Sequence, residues 1–201
     1  MRRPPSLPPS RRRAPRPIAA LARIAAAELV QTLDAVDEAA VAGLRRRLAR
    51  ARRIYLAGRG KSALQLSGFA MRLMHLGYAV HLPGEVTAPA LTRRDLLLIG
   101  SGSGRTAALV GYARTARRLG CPVVLLTATG ASPLGRLADL SLRLPAATPK
   151  HAAAGGPASI LPMGSRFELA LGLCLELVIV QLMAERGVTA RTMFRRHANL
   201  E

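Results

Sequence analysis

The chain has 201 residues, of which 50% are hydrophobic but only 3% aromatic, and its formal net charge is +19. That length suits one α/β domain with a core of Leu, Val, Ile and Ala, and is short for two. The two cysteines, Cys121 and Cys174, show neither CxxC nor metal-type spacing, which argues against a disulfide framework and fits a reducing, cytoplasmic setting.

Residues 1–17, "MRRPPSLPPSRRRAPRP", hold six arginines and no acid. A stretch so rich in proline and arginine cannot bury apolar surface and is read as a disordered basic tail. A twin-arginine export signal competes with that reading, but Arg23 and Glu28 interrupt the apolar region such a signal requires. The remaining positive charge is spread over many segments without interleaved aromatics. This favours solvated faces over a nucleic-acid surface.

Residues 18–201 read as a single domain. From 18 to about 50 the apolar residues recur at helical spacing, with Asp34 and Asp37 marking a break between two helices. "RIYLAG" (53–58) reads as a buried strand, followed by a helix over 62–76. "YAVHLP" (78–83) and "DLLLIG" (95–100) are the next strands, and a helix over 106–119 leads to a fourth, "PVVLLTA" (122–128). A short helix is expected over 134–138, then a fifth strand, "LSLRLP" (140–145), and a loop over 146–160. The tract "LALGLCLELVIVQLM" (169–183) carries Glu176 and is too short to span a bilayer comfortably, so it belongs to a buried helix over 164–187. A last short helix spans 189–196.

This alternation predicts an α/β fold in which a five-stranded parallel sheet is doubly wound, with helices on both faces. Two turns in it look alike. "GRGKSA" after the first strand and "GSGSGRT" after the third each run from a strand end through Gly and Ser into a helix. If the strand order is the flavodoxin-like 2-1-3-4-5, the two turns face each other across the switch point and converge on one anion. Ser62, Ser101, Ser103 and Thr106 supply hydroxyls there, Lys61 a cation, and Gly60, Gly102 and Gly104 allow close approach of the backbone. A dinucleotide fingerprint fits poorly, because Ala63 stands where its third glycine belongs and Glu85 falls beyond the second strand. "GRGKS" is too compressed for a Walker loop. A sugar phosphate needs only the groups that are present.

None of His75, His81, His151 and His197 forms a metal spacing with Cys, Asp or Glu. On physical grounds alone, Glu168 is a first-turn acid complementing a helix dipole and His197 belongs to a solvated terminus.

"FAMRLMHLGY" (69–78), "GE" (84–85), "GSGSGRT" (100–106), "LPMGSRFE" (161–168) and "RHANLE" (196–201) resemble, in the same order, the 6-phospho-3-hexuloisomerase family of sugar isomerase (SIS) domains. "GSGSGRT" is specific only for sugar phosphate; the other segments together are much more specific. The resemblance implies a SIS fold and isomerisation of D-arabino-hex-3-ulose 6-phosphate to D-fructose 6-phosphate in the ribulose monophosphate route. It implies no metal or organic cofactor; that no membrane or nucleic-acid partner is expected follows from the apolar tract and the charge distribution, with a nucleic-acid binder through the basic tail as a rival reading. A homo-oligomer, expected as a tetramer, is implied as well.

Carried over by position, Glu168 would be the proton-transfer base, and His197 its partner from a neighbouring subunit. Ser62, Ser101, Ser103 and Thr106 would hold the phosphate, with Glu85 and Thr87 in the binding set. Lys61 stands where many relatives have Arg, and "GEVTAP" leaves only Thr87 of a threonine-rich turn. Rival readings are an arabinose 5-phosphate type of isomerase and a non-catalytic module that senses a sugar phosphate.

Overall fold

The structure is a computed structural model that describes residues 15–146 and 159–200. Two helices, α1 (Ile18–Asp34) and α2 (Glu38–Arg50), precede β1 (Ile54–Ala57), α3 (Lys61–His75), β2 (Val80–His81) and β3 (Leu96–Gly100). The chain continues through α4 (Ala107–Arg118), β4 (Val123–Thr127), β5 (Leu140–Arg143), α5 (Ser165–Arg186) and α6 (Ala190–Phe194). The strands form one parallel sheet in the order β2-β1-β3-β4-β5, as expected.

The three central strands, "IYLA", "LLLIG" and "VVLLT", are buried at every position, as a sheet covered on both faces requires. Alternate side chains go to opposite faces. Leu56, Leu98 and Leu126 join the core beneath α2, α3 and α5, whereas Tyr55, Leu97 and Leu125 pack beneath α4. Truncating a fully buried leucine such as Leu98 to alanine would cost about 2–5 kcal/mol. The break between α1 and α2 falls where the two aspartates predict it: the Asp37 carboxylate caps α2 by accepting from the Ala39 N–H at 2.9 Å.

Three expectations need correction. Residues 131–137 form turns, not a helix. There the Ser132 hydroxyl accepts from the Gly135 N–H at 3.0 Å and the Leu134 carbonyl accepts from both Leu137 and Ala138, so the backbone closes on itself beside Pro133. The edge strand β2 has two residues, not six. It pairs only with β1, and Pro83 has no N–H with which to extend it. Finally, α5 runs for 22 residues and is long and apolar enough to cross a bilayer, yet it packs against α1, α2 and α3 as a core helix. The basic tail over 1–14 and most of the loop over 146–160 lie outside the described residues.

Cys121 and Cys174 are free and buried. Burial pushes each thiol up to about 11, so neither is a nucleophile at neutral pH.

Candidate active site

Because β1 and β3 are neighbours whose chains leave toward opposite edges of the sheet, the turns that follow them open onto a common crevice. A cleft of about 400 Å³ lies there, within the usual range for small-molecule sites, roughly 300–1,000 Å³. Lys61 and Ser62 line it from the first turn of α3, and Ser101, Gly102, Ser103 and Thr106 from the turn after β3. The two look-alike turns therefore meet.

The turn after β3 is internally braced. The Gly104 N–H donates to both the Ser101 carbonyl (3.1 Å) and its hydroxyl (3.2 Å), and the Arg105 N–H reaches the Ser103 hydroxyl at 3.4 Å. Gly104 sits at φ +61, and a Cβ there would stand 2.2 Å from the Ser132 hydroxyl. It shapes the turn from behind and does not line the cleft. Gly60, at φ +57, is the N-cap of α3 and likewise stands just outside the lining. The Thr106 hydroxyl caps nothing, and neither it nor the Ser62 hydroxyl has a hydrogen-bond partner among the described residues. Both remain available to a ligand.

A third helix converges on the cleft, and of its residues only Glu168 is expected there from the sequence resemblance. The start of α5 contributes Gly164, Ser165, Phe167 and Glu168. Three helix N-termini thus point at one cavity, each favouring negative charge. Lys61 links two of them: its Nζ donates to the Ser165 hydroxyl at 2.9 Å and lies 3.4 Å from a Glu168 oxygen. Arg59, which donates to the Tyr112 hydroxyl at 3.2 Å, adds a second cation at the rim. It was visible in "GRGKSA" but not singled out.

The segment leading into α5 is tied down by α1. Glu28 accepts from the Ser159 hydroxyl and, at 2.9 Å, from the Ile160 N–H. The buried Arg166 donates to the Thr32 hydroxyl at 2.9 Å and to Gln31 at 3.0 Å. Between these tethers Met163 takes a left-handed conformation at φ 56 and lines the cleft. Strain of this kind in a non-glycine residue often collects at functional sites.

His197, Glu85 and Thr87 are not brought into this cleft within one chain. The His197 ring stacks on His75 at 5.4 Å and on Phe194 at 5.6 Å. Glu85 accepts from the Leu82 N–H at 3.1 Å on an exposed turn that also carries Thr87. Among the described residues, no group of three His, Cys, Asp or Glu side chains is arranged to hold a metal ion.

The cleft sets two hydroxyl-lined turns and a carboxylate side by side. The SIS-domain family model matches residues 47–171, a span that includes both turns and Glu168. The chain belongs to the SIS-domain family. Among SIS relatives, a 3-hexulose-6-phosphate isomerase of Bacillus subtilis is 45% identical over 148 residues, 74% of this chain and 80% of the relative. One from Mycobacterium gastri is 40% identical over 174 residues, covering 87% and 86%. A Methanococcus jannaschii protein, whose crystal structure was described as inferring the molecular function of 3-hexulose-6-phosphate isomerase, superposes with a TM-score of 0.77 at 29% identity. The superposition covers 90% of this chain and 98% of that one. Glu168 lies inside the matched SIS span and His197 beyond it.

Proposed function

We propose that the protein interconverts D-arabino-hex-3-ulose 6-phosphate and D-fructose 6-phosphate, with Glu168 as the base and His197 of a neighbouring subunit as the second proton carrier. The observation that carries the reading is the placement of Glu168 beside the hydroxyl-lined turns, with Lys61 between them. The names of the relatives supply the substrate class.

The phosphate is remote from the reacting carbons. Holding it with Ser62, Ser101, Ser103, Thr106 and the three helix N-termini places C2 and C3 beside Glu168 and reduces the entropic part of the barrier. The Glu168 carboxylate removes the proton from C2. The C–H electron pair becomes the C2–C3 double bond, and the carbonyl oxygen on C3 becomes an oxyanion that takes a proton from His197. His197 then removes the O2 proton, the C2 carbonyl forms, and the double-bond electrons take back the Glu168 proton at C3. One carboxylate on one face serves both carbon centres.

An exposed apolar face supports a role for a second copy and its His197. The outward face of α5 exposes Leu169, Leu173, Leu177 and Val180 at helical spacing, starting next to Glu168. Leu64 and Met71 of the adjacent α3 are exposed as well. A second copy seated on this face would cover apolar surface worth about 1.5–3 kcal/mol per side chain fully buried. It would also bring its own residues near the cleft mouth. A cytoplasmic homotetramer acting in the ribulose monophosphate route, without cofactor, fits this picture.

The test supplies hex-3-ulose 6-phosphate and follows fructose 6-phosphate with wild type and Glu168→Gln. Wild type should convert it, and the variant should lose about a thousandfold in kcat. No conversion by wild type removes the proposed reaction; full activity in Glu168→Gln removes the assigned base.

A further inference from the structure

At the opposite end of the sheet, where β3 and β4 begin, lies a second cavity of about 370 Å³. Its lining includes five arginines from two separate segments, Arg46, Arg47 and Arg50 from the end of α2 and Arg93 and Arg94 from the turn before β3, together with the acid Asp95. A neighbouring hollow shares Arg47 and Pro122 with it and adds Arg117.

The acids nearby are already engaged. The buried Asp95 carboxylate is held by Arg53 at 2.9 Å, by Arg52 at 3.4 Å and by the Thr92 hydroxyl at 2.8 Å. Asp139 pairs with Arg117 and accepts from the Val123 N–H. The Arg47 guanidinium donates to the Gly43 carbonyl of its own helix at 3.2 Å. Among the described residues, no carboxylate pairs with Arg46, Arg50, Arg93 or Arg94.

The α2 dipole accounts for cations in its last turn. It does not account for Arg93 and Arg94 lining the same cavity, nor for Arg46 and Arg50 standing one helical turn apart as like charges, which is unfavourable. Such a cluster calls for an external counter-charge. Guanidinium forks match phosphate oxygens bidentately, and several forks around one cavity match several adjacent phosphates. No aromatic side chain lines the cavity, so nothing there stacks on a base or reads a sugar ring.

We infer that this arginine-lined cavity is a binding site for a short chain of adjacent phosphates, separate from the sugar-phosphate cleft and recognising the phosphates alone. Free polyphosphate and the tail of a nucleoside triphosphate share that chemistry.

The test is a calorimetric titration of the full chain with tripolyphosphate, in the presence of saturating fructose 6-phosphate to occupy the cleft. One tripolyphosphate should bind per chain. Affinity should fall at least tenfold in Arg46→Ala/Arg94→Ala, whose melting temperature without ligand and whose isomerase kinetics should match wild type. ATP should bind within about threefold of tripolyphosphate, and orthophosphate at least tenfold more weakly, because contacts are made to successive phosphates. Displacement by fructose 6-phosphate, or equal affinity in the double variant (as binding by the basic residues 1–17 would give), would overturn the site. ATP binding much more tightly than tripolyphosphate would overturn recognition through phosphates alone. Retention of duplex DNA without binding of tripolyphosphate would replace the small ligand by a nucleic acid.

Discussion

The Lys61 ammonium lies 3.4 Å from the Glu168 carboxylate and 2.9 Å from the Ser165 hydroxyl, joining the first turns of α3 and α5 across the cleft. With Lys61 about half exposed, this pair adds little to stability, on the order of 1 kcal/mol or less. Its consequence is positional, because it sets the Glu168 carboxylate beside the hydroxyl-lined turns. Replacing Lys61 by alanine should raise KM for fructose 6-phosphate about tenfold, as a charged contact to phosphate is lost, and leave the melting temperature almost unchanged. Steady-state kinetics and thermal unfolding on the same preparation check both halves. An unchanged KM would place Lys61 outside the phosphate-binding set.

Gly104 tests the shape of the turn after β3. A Cβ at this position would stand 2.2 Å from the Ser132 hydroxyl and 2.5 Å from its Cβ, on a backbone at φ +61. Gly104→Ala should therefore destabilise by about 1–3 kcal/mol and raise KM, since the turn can relieve the overlap only by moving. Adding Ser132→Gly removes the overlap but not the left-handed backbone, so it should recover part of the loss. Denaturant unfolding of the single and double variants measures the two contributions.

These pairs also show where sequence reading reaches its limit. The strands, helices and two look-alike turns were legible, because strand–helix alternation and Gly–Ser turns are local signals. The strand order that makes the turns meet was only a condition until it followed from the resemblance to SIS folds. The helical break at Asp37 was legible for the same reason, since a cap is written within four residues. What gathers Ser165, Arg59 and Met163 at the cleft is tertiary: α5 packs on α3, and Glu28 and Arg166 fasten the approach to α5 from either side. No periodicity encodes contacts between residues more than a hundred positions apart. The 134–138 stretch was misread as a helix because its apolar spacing outweighed the turn chemistry of Ser132, Pro133 and Gly135.

Asp95 sets an acid limit on stability. Burial alone would raise its pKa, but hydrogen bonds from Arg53 and Thr92 and the Arg53 charge outweigh it, leaving the carboxyl at about 2 against an ordinary 3.8. A folded-state pKa below the unfolded one means stability that is complete above the unfolded value and lost as pH falls through the folded one. The amount is about 2 kcal/mol, lost between about pH 4 and pH 2. Asp95→Asn should be less stable than wild type at neutral pH by about 2–3 kcal/mol, with the difference shrinking over that window. Urea unfolding at several pH values provides the check; a constant difference down to pH 2 would contradict the linkage.

Subunit mixing addresses the proposed origin of His197. If the base and its partner come from different chains, Glu168→Gln and His197→Ala subunits each lack one half of every site. Mixed oligomers should then contain some intact composite sites and recover a substantial part, roughly a quarter to a half, of wild-type activity in a dimeric pairing. Co-expression followed by the isomerase assay reads this out. Activity no greater than the sum of the separate variants would place both groups in the same chain.

His75 links the C-terminal arm to pH. Its ring is buried at the end of α3 and stacks on His197, while its carbonyl accepts from the Arg196 guanidinium at 3.0 Å. Burial, and then the charges of His197 and Arg72, hold its pKa below the ordinary 6.5. The unfolded or undocked state therefore binds a proton more readily, so docking of the arm is fully favourable above pH 6.5 and weakens as pH falls from there through the folded-state value. Amide exchange over residues 190–198, corrected for the intrinsic rate, should lose protection as pH drops from about 7.5 to about 5.5. His75→Phe keeps an aromatic face for His197 but has no proton to gain, and should flatten that dependence. Persistence of the same pH dependence in His75→Phe would assign the titration to another group.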